Sequence, residues 1–133
     1  MEAEGELFRR IGYAEVRFAV RVLSDDRDQN EALTGVEISG YQLSRALAVA
    51  DIAEFDPDFV ICAPRSTWQR MLDEIGQSGR PELRHTLSSL ALIGEELWLE
   101  STDQLREDKF YRFNQTLQEL FNLATQLHND RGH

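Results

Sequence analysis

FYRFNQTLQELFNLATQL, residues Phe110 to Leu127, is the stretch whose reading decides the fold. On a helical wheel Phe110, Phe113, Leu117, Leu120, Phe121, Ala124 and Leu127 fall on one stripe, with Leu123 at its edge. That is the i, i+3, i+4, i+7 spacing of a helix laying a wide apolar face on a core. Tyr111, Gln115, Gln118, Glu119, Asn122 and Gln126 take the opposite, wet face. Ser101, Thr102 and Asp103 offer capping oxygens, and Asn129-Asp130-Arg131-Gly132 supplies turn formers, so the spacing predicts a helix from Asp103 to about Asp130. Its stripe buries more than a short surface helix needs, so the rest of the chain is expected to pack on it.

Working outward, Tyr13 to Leu23 alternates: Val16, Phe18, Val20 and Val22 face one way, Glu15, Arg17 and Arg21 the other. This is a strand with one wet face. A short helix is expected over Glu4 to Ile11, and Ser24 to Gly35 reads as a polar loop. Ser39-Gly40-Tyr41-Gln42 has the spacing of a capping box, predicting an alanine-rich helix to about Phe55 that is apolar on two sides. Phe59 to Cys62 reads as an interior strand, and Arg65 to Ile75 as a helix with Trp68, Met71, Leu72 and Ile75 inward. Pro81 suits the first position of a short helix burying Leu83 and Leu87, and Ser89 to Glu100 reads as a hairpin around Gly94. The elements mix without a βαβ rhythm. The expectation is therefore one α+β domain over 1–133, with an antiparallel sheet of about four strands, helices mainly on one face and a long amphipathic C-terminal helix.

Composition narrows the function classes. The chain has 133 residues, 41% hydrophobic and 29% charged, with a net charge of −10. That sign repels phosphate backbones, so direct nucleic-acid binding is not expected. The longest apolar run is too short to span a membrane. The acidic Met-Glu-Ala-Glu-Gly-Glu start is unlike a secretory signal, which gives a cytoplasmic expectation. A single cysteine, Cys62, forms no internal disulfide, and its apolar neighbours raise a thiol pKa, making it a core residue and not a nucleophile.

Two motifs have metal-ligand spacing. Asp26-x-Asp28-x-Asn30, with Glu37 in twelfth place, matches a calcium loop, but Glu31 stands where the turn needs glycine and a strand precedes it. Glu82-x-x-His85 is half of a carboxylate-bridged motif present in one copy, and His85 is expected to be exposed. Neither predicts a bound metal, and no cofactor fingerprint is present. The acidic cluster Glu95, Glu96, Glu100, Asp103, Glu107 and Asp108 reads as a charged rim, so no catalytic residue is assigned.

If Leu90, Leu92, Leu97 and Leu99 of the hairpin face the core, Ala91, Ile93 and Trp98 lie on its back. An apolar back face needs a cover, and Trp98 ringed by Glu96 and Glu100 has the anatomy of an interface anchor. The expectation is a small acidic, non-enzymatic interaction module (adaptor, chaperone or inhibitor), binding a protein, basic or otherwise, and forming a homodimer through Trp98, Ile93, Ala91, Glu96 and Glu100. The alternatives are an acidic nucleic-acid mimic and an enzyme or metal-binding domain with a site assembled from dispersed residues.

Overall fold

The computed structural model describes residues 13–131, with backbone alone for Gln42 and 127–131. The expected helix over Glu4 to Ile11 lies outside the described residues. Among the described residues five strands form one sheet, in the order β3 (Gln42–Ala48), β2 (Asn30–Gly40), β1 (Ala14–Leu23), β4 (Phe59–Pro64), β5 (Trp98–Glu100), against the expected four or so.

The strand β1 (Ala14–Leu23) is central, flanked by β2 (Asn30–Gly40) antiparallel and by β4 (Phe59–Pro64) parallel. The sheet is thus mixed, not purely antiparallel. Its alternation is as read: Val16 and Phe18 are buried on one face, while Glu15 and Arg17 lie on the other. All of β4 is buried, Phe59, Ile61 and Ala63 in the main core and Val60 and Cys62 against Leu33, Ile52 and Trp98 on the other face. The turn before β2 is shorter than expected, because Ser24 and Asp26 fold it back: the Ser24 N–H donates to the Gln29 carbonyl at 2.8 Å and Asp26 accepts the Asp28 N–H at 3.1 Å.

Two expectations fail here for physical reasons. The helix expected from Ser39 to Phe55 is instead an edge strand, β3 (Gln42–Ala48), followed by one helical turn, α1 (Ile52–Phe55). Gly40 has φ +69°, and with Tyr41 it makes the two-residue turn that pairs Ser39 with Gln42. Pairing with β2 then satisfies β3, overriding the helix propensity of its alanines. The hairpin from Ser89 to Glu100 does not form either. Leu87–Ile93 is a helix, α3, capped by Thr86, whose Oγ1 accepts the Ser89 N–H at 3.1 Å. Only Trp98–Glu100 is a strand, β5, pairing Cys62 with Trp98.

The helices α2 (Arg65–Ser78), α3 and α4 (Gln104–Arg131) cover one face. There Phe18 stacks on Phe59 with centroids 5.7 Å apart, and Phe59 meets Phe110 of α4 edge to face at 5.6 Å. Phe110, Leu117 and Leu120 are buried and Phe113, Phe121 and Leu123 half-buried, so the predicted stripe is the packing face, with Ala124 exposed at its end.

Candidate functional site

The open face of the sheet is ionic around a small apolar patch. Ala19, Leu23, Val60 and Cys62 cluster there, with Leu33, Ile52 and Trp98 against them. Trp98 lies half-buried over this patch, and the Arg27 guanidinium sits 5.1 Å from its ring centroid. Arg21 donates to Glu100 at 2.6 Å and lies 3.6 Å from the Cys62 sulfur. Burial first, and then the Glu100 charge, push the Cys62 thiol up to about 12, so it stays protonated at neutral pH. The core reading of this cysteine holds.

The interface residues expected from the sequence are not brought together. Trp98 and Glu100 share the open face, but Ala91 packs against the helix-side core and Ile93 projects from the end of α3 at 63% exposure. Glu96 binds Arg70 of α2 through both oxygens, at 3.0 and 3.1 Å. The apolar back face existed only in the hairpin, and with α3 in its place the basis for a homodimer there is gone. Leu92, expected inward, is 84% exposed, as is Leu83.

The four calcium-loop residues also part. Asp26 and Asp28 lie in the turn, whereas Asn30 opens β2 and Glu37 lies within it. Seven residue steps of strand set Glu37 about 23 Å from Asn30 at about 3.3 Å per step, so the loop's spacing cannot wrap one ion. Glu37 instead pairs with Arg17 at 2.9 Å and Arg45 at 3.6 Å. His85, expected to be exposed, is mostly covered and bonded to Glu74 at 2.7 Å.

Dispersed charged residues do assemble a hollow of about 530 Å³, lined by Glu15, Arg17, Glu37, Asp56, Asp58, Arg106 and Lys109 among others. Asp58 is its hub. It accepts from the Arg17 N–H at 3.0 Å, Arg106 at 3.1 Å and Lys109 at 3.1 Å. Burial pushes its carboxyl up, but these three donors outweigh burial and hold it below the usual carboxylate range. Such a group is a fixed anion and has no proton to give near neutral pH. Sequence reasoning missed Asp58 because its partners Arg106 and Lys109 lie 48 and 51 positions away. Glu31, Glu37, Asp56, Asp58, Glu96 and Glu100 each hold an arginine, so they do not present the row of free carboxylates a nucleic-acid mimic needs.

The helix-covered side is different. Around the buried core lies a rim of half-buried apolar side chains: Val20, Val22 and Leu99 from the sheet and Phe113, Phe121 and Leu123 from α4. Trp68 of α2 stacks on Phe121 there, centroids 5.9 Å apart. Among the described residues, no helix is long and apolar enough to cross a membrane.

No family model matches the chain, and no curated relative matches it. Solved structures do. The chain is similar to sterol carrier protein 2 at 26% identity and a TM-score of 0.58, over 95% of this chain and 85% of that one. It is also similar to a Thermus thermophilus protein described as a possible sterol carrier, at 24% identity and a TM-score of 0.55, over 95% and 77% of the two chains. The second likeness shows the fold alone. The likeness to sterol carrier protein 2 overturns the interaction-module expectation, and the residues meant to form an adaptor surface are scattered over both sides of the sheet.

Proposed function

We propose that this chain binds and carries a single lipid-class ligand, a sterol-like or acyl body with a small polar end. The likeness to sterol carrier protein 2 across 95% of the chain carries this reading. The chemistry of the two sides of the sheet agrees with it. A hydrocarbon ligand gains from leaving water only where it meets apolar surface, and the hollow around Asp58 is lined mainly by charged and polar groups, with Val16 and Ile38 its large apolar members. The rim of Val20, Val22, Phe113, Phe121 and Leu123 on the helix-covered side does offer such surface. The ligand would enter there, between the sheet and α4, and the half-buried phenylalanines would close over it. Carriage needs no catalytic group, in keeping with an Asp58 that is locked as an anion. The cytoplasm suits this role and a free buried cysteine.

Titration with a fluorescent sterol and a fluorescent fatty acid tests this. Saturable binding of one ligand per chain, at about micromolar affinity, together with faster probe transfer between vesicles, is the expected result. Absence of saturable binding for both probes would overturn it.

A further inference from the structure

Glu74 of α2 and Glu82 and His85 beyond it place one ligand atom each within 4.8 Å of one another. The His85 Nδ1 lies 2.7 Å from the Glu74 Oε2 and 3.7 Å from the Glu82 Oε2. Two ligands held at 2.0–2.1 Å by a tetrahedral ion stand about 3.3 Å apart, and the two distances bracket that value. The groups are also aimed by the backbone. Glu74 uses its other oxygen, Oε1, to accept the Glu82 N–H at 3.0 Å, which leaves Oε2 turned to the imidazole. The His85 N–H donates to the Glu82 carbonyl at 2.9 Å, closing the 3-10 turn Leu83–His85 that carries the ring. Glu74 and His85 are mostly covered, at 19% and 17% side-chain exposure, while Glu82 is 61% exposed and has the Arg84 guanidinium 3.8 Å from its Oε2, an exposed contact that a bound ion would displace. The nearby Arg70 is engaged with Glu96, so its charge does not occupy the site.

We propose that Glu74, Glu82 and His85 bind one divalent transition-metal ion of the zinc class, with a fourth position left to water. One imidazole and two carboxylates are the borderline and hard donors such an ion accepts. The ion takes the place of the direct contact between the His85 Nδ1 and the Glu74 Oε2. It is an accessory site and not the chain's main activity: it ties the C-terminal half of α2 to the turn leading into α3, whose Leu87 and Leu90 close the core. It stands or falls independently of lipid binding.

Calorimetric titration of the full chain with zinc chloride tests the site. One saturable site per chain is expected, weakened at least tenfold in Glu82→Gln and in His85→Gln, and unchanged when His128 and His133 are both replaced by glutamine. Zinc should raise the melting temperature of the wild type and do so less in Glu82→Gln. The Glu82 side chain is exposed, so that variant decides the matter even if His85→Gln fails to fold. No saturable heat, equal affinity in Glu82→Gln, or loss of binding in the variant lacking His128 and His133 would overturn the proposal.

Discussion

The two faces of β1 are built from alternate residues of one strand, yet they are held by different forces. On one face Val16 and Phe18 pack beneath three helices, in a chain of rings running through Phe59 to Phe110. On the other, Arg17 and Arg21 reach across to Glu37 and Glu100, with Ala19 between them in a small apolar patch. Burial of a large ring stabilises by several kcal/mol, whereas a part-exposed ion pair contributes about 0–1 kcal/mol. The covered face should therefore carry the stability, and the open face should tolerate change.

The sharpest way to break that contrast is Phe59→Ala. Phe59 is fully buried between Phe18 and Phe110, so its loss should cost about 3–5 kcal/mol in chemical denaturation. A cost near that of an open-face substitution would refute it. Asp58→Asn comes next, because it takes a charge from three donors at the edge between the faces; about 2–3 kcal/mol is expected. The pH dependence follows from the depressed carboxyl of Asp58. Its contribution is present above the unfolded-state value of about 3.9 and is lost as pH falls through the lower folded-state value. Asp58→Asn should accordingly flatten the stability profile below about pH 4, read from denaturation midpoints across pH.

How far the sequence reaches follows from the same contrast. The alternation of β1, the apolar run of β4 and the stripe of α4 were legible, because each has a period or burial that its own residues record. The edge strand β3 was not. Gln42 to Ala48 is rich in helix formers, and only the Gly40-Tyr41 turn marks it as the second arm of a hairpin. Leu87 to Ile93 misled in the other direction, since a short apolar run fits strand and helix equally well. The proposed site was less legible still. The rim proposed to meet lipid is made of half-buried valines and phenylalanines that look like ordinary core in sequence, and Glu74 joins Glu82 and His85 only through the bend after α2.

Smaller effects sharpen the picture of the open face. A Cβ on Gly35 would stand 2.6 Å from the Phe55 ring, which α1 lays flat over the sheet between Arg17 and Arg45. Gly35→Ala should cost about 1–2 kcal/mol, and Phe55→Leu in the same chain should recover part of it. Additive losses in the double variant would show that the ring is not the obstacle. Trp98→Ala should cost only about 1 kcal/mol, as a half-buried side chain on an edge strand. It should nonetheless speed alkylation of Cys62, which Trp98 and Arg21 help to seal. Unchanged labelling would mean that the seal lies elsewhere.

The chain's two tryptophans stand on opposite faces of the sheet, Trp68 against Phe121 and Trp98 over Cys62, and this permits the most direct test of lipid carriage. Trp98→Phe leaves Trp68 as the sole emitter, and Trp68→Phe leaves Trp98. Both should be titrated with a brominated fatty acid, which quenches tryptophan on contact. Saturable quenching of Trp68 with Trp98 unaffected is the predicted result. Quenching of Trp98 alone, or of neither, would contradict lipid uptake on the helix-covered side.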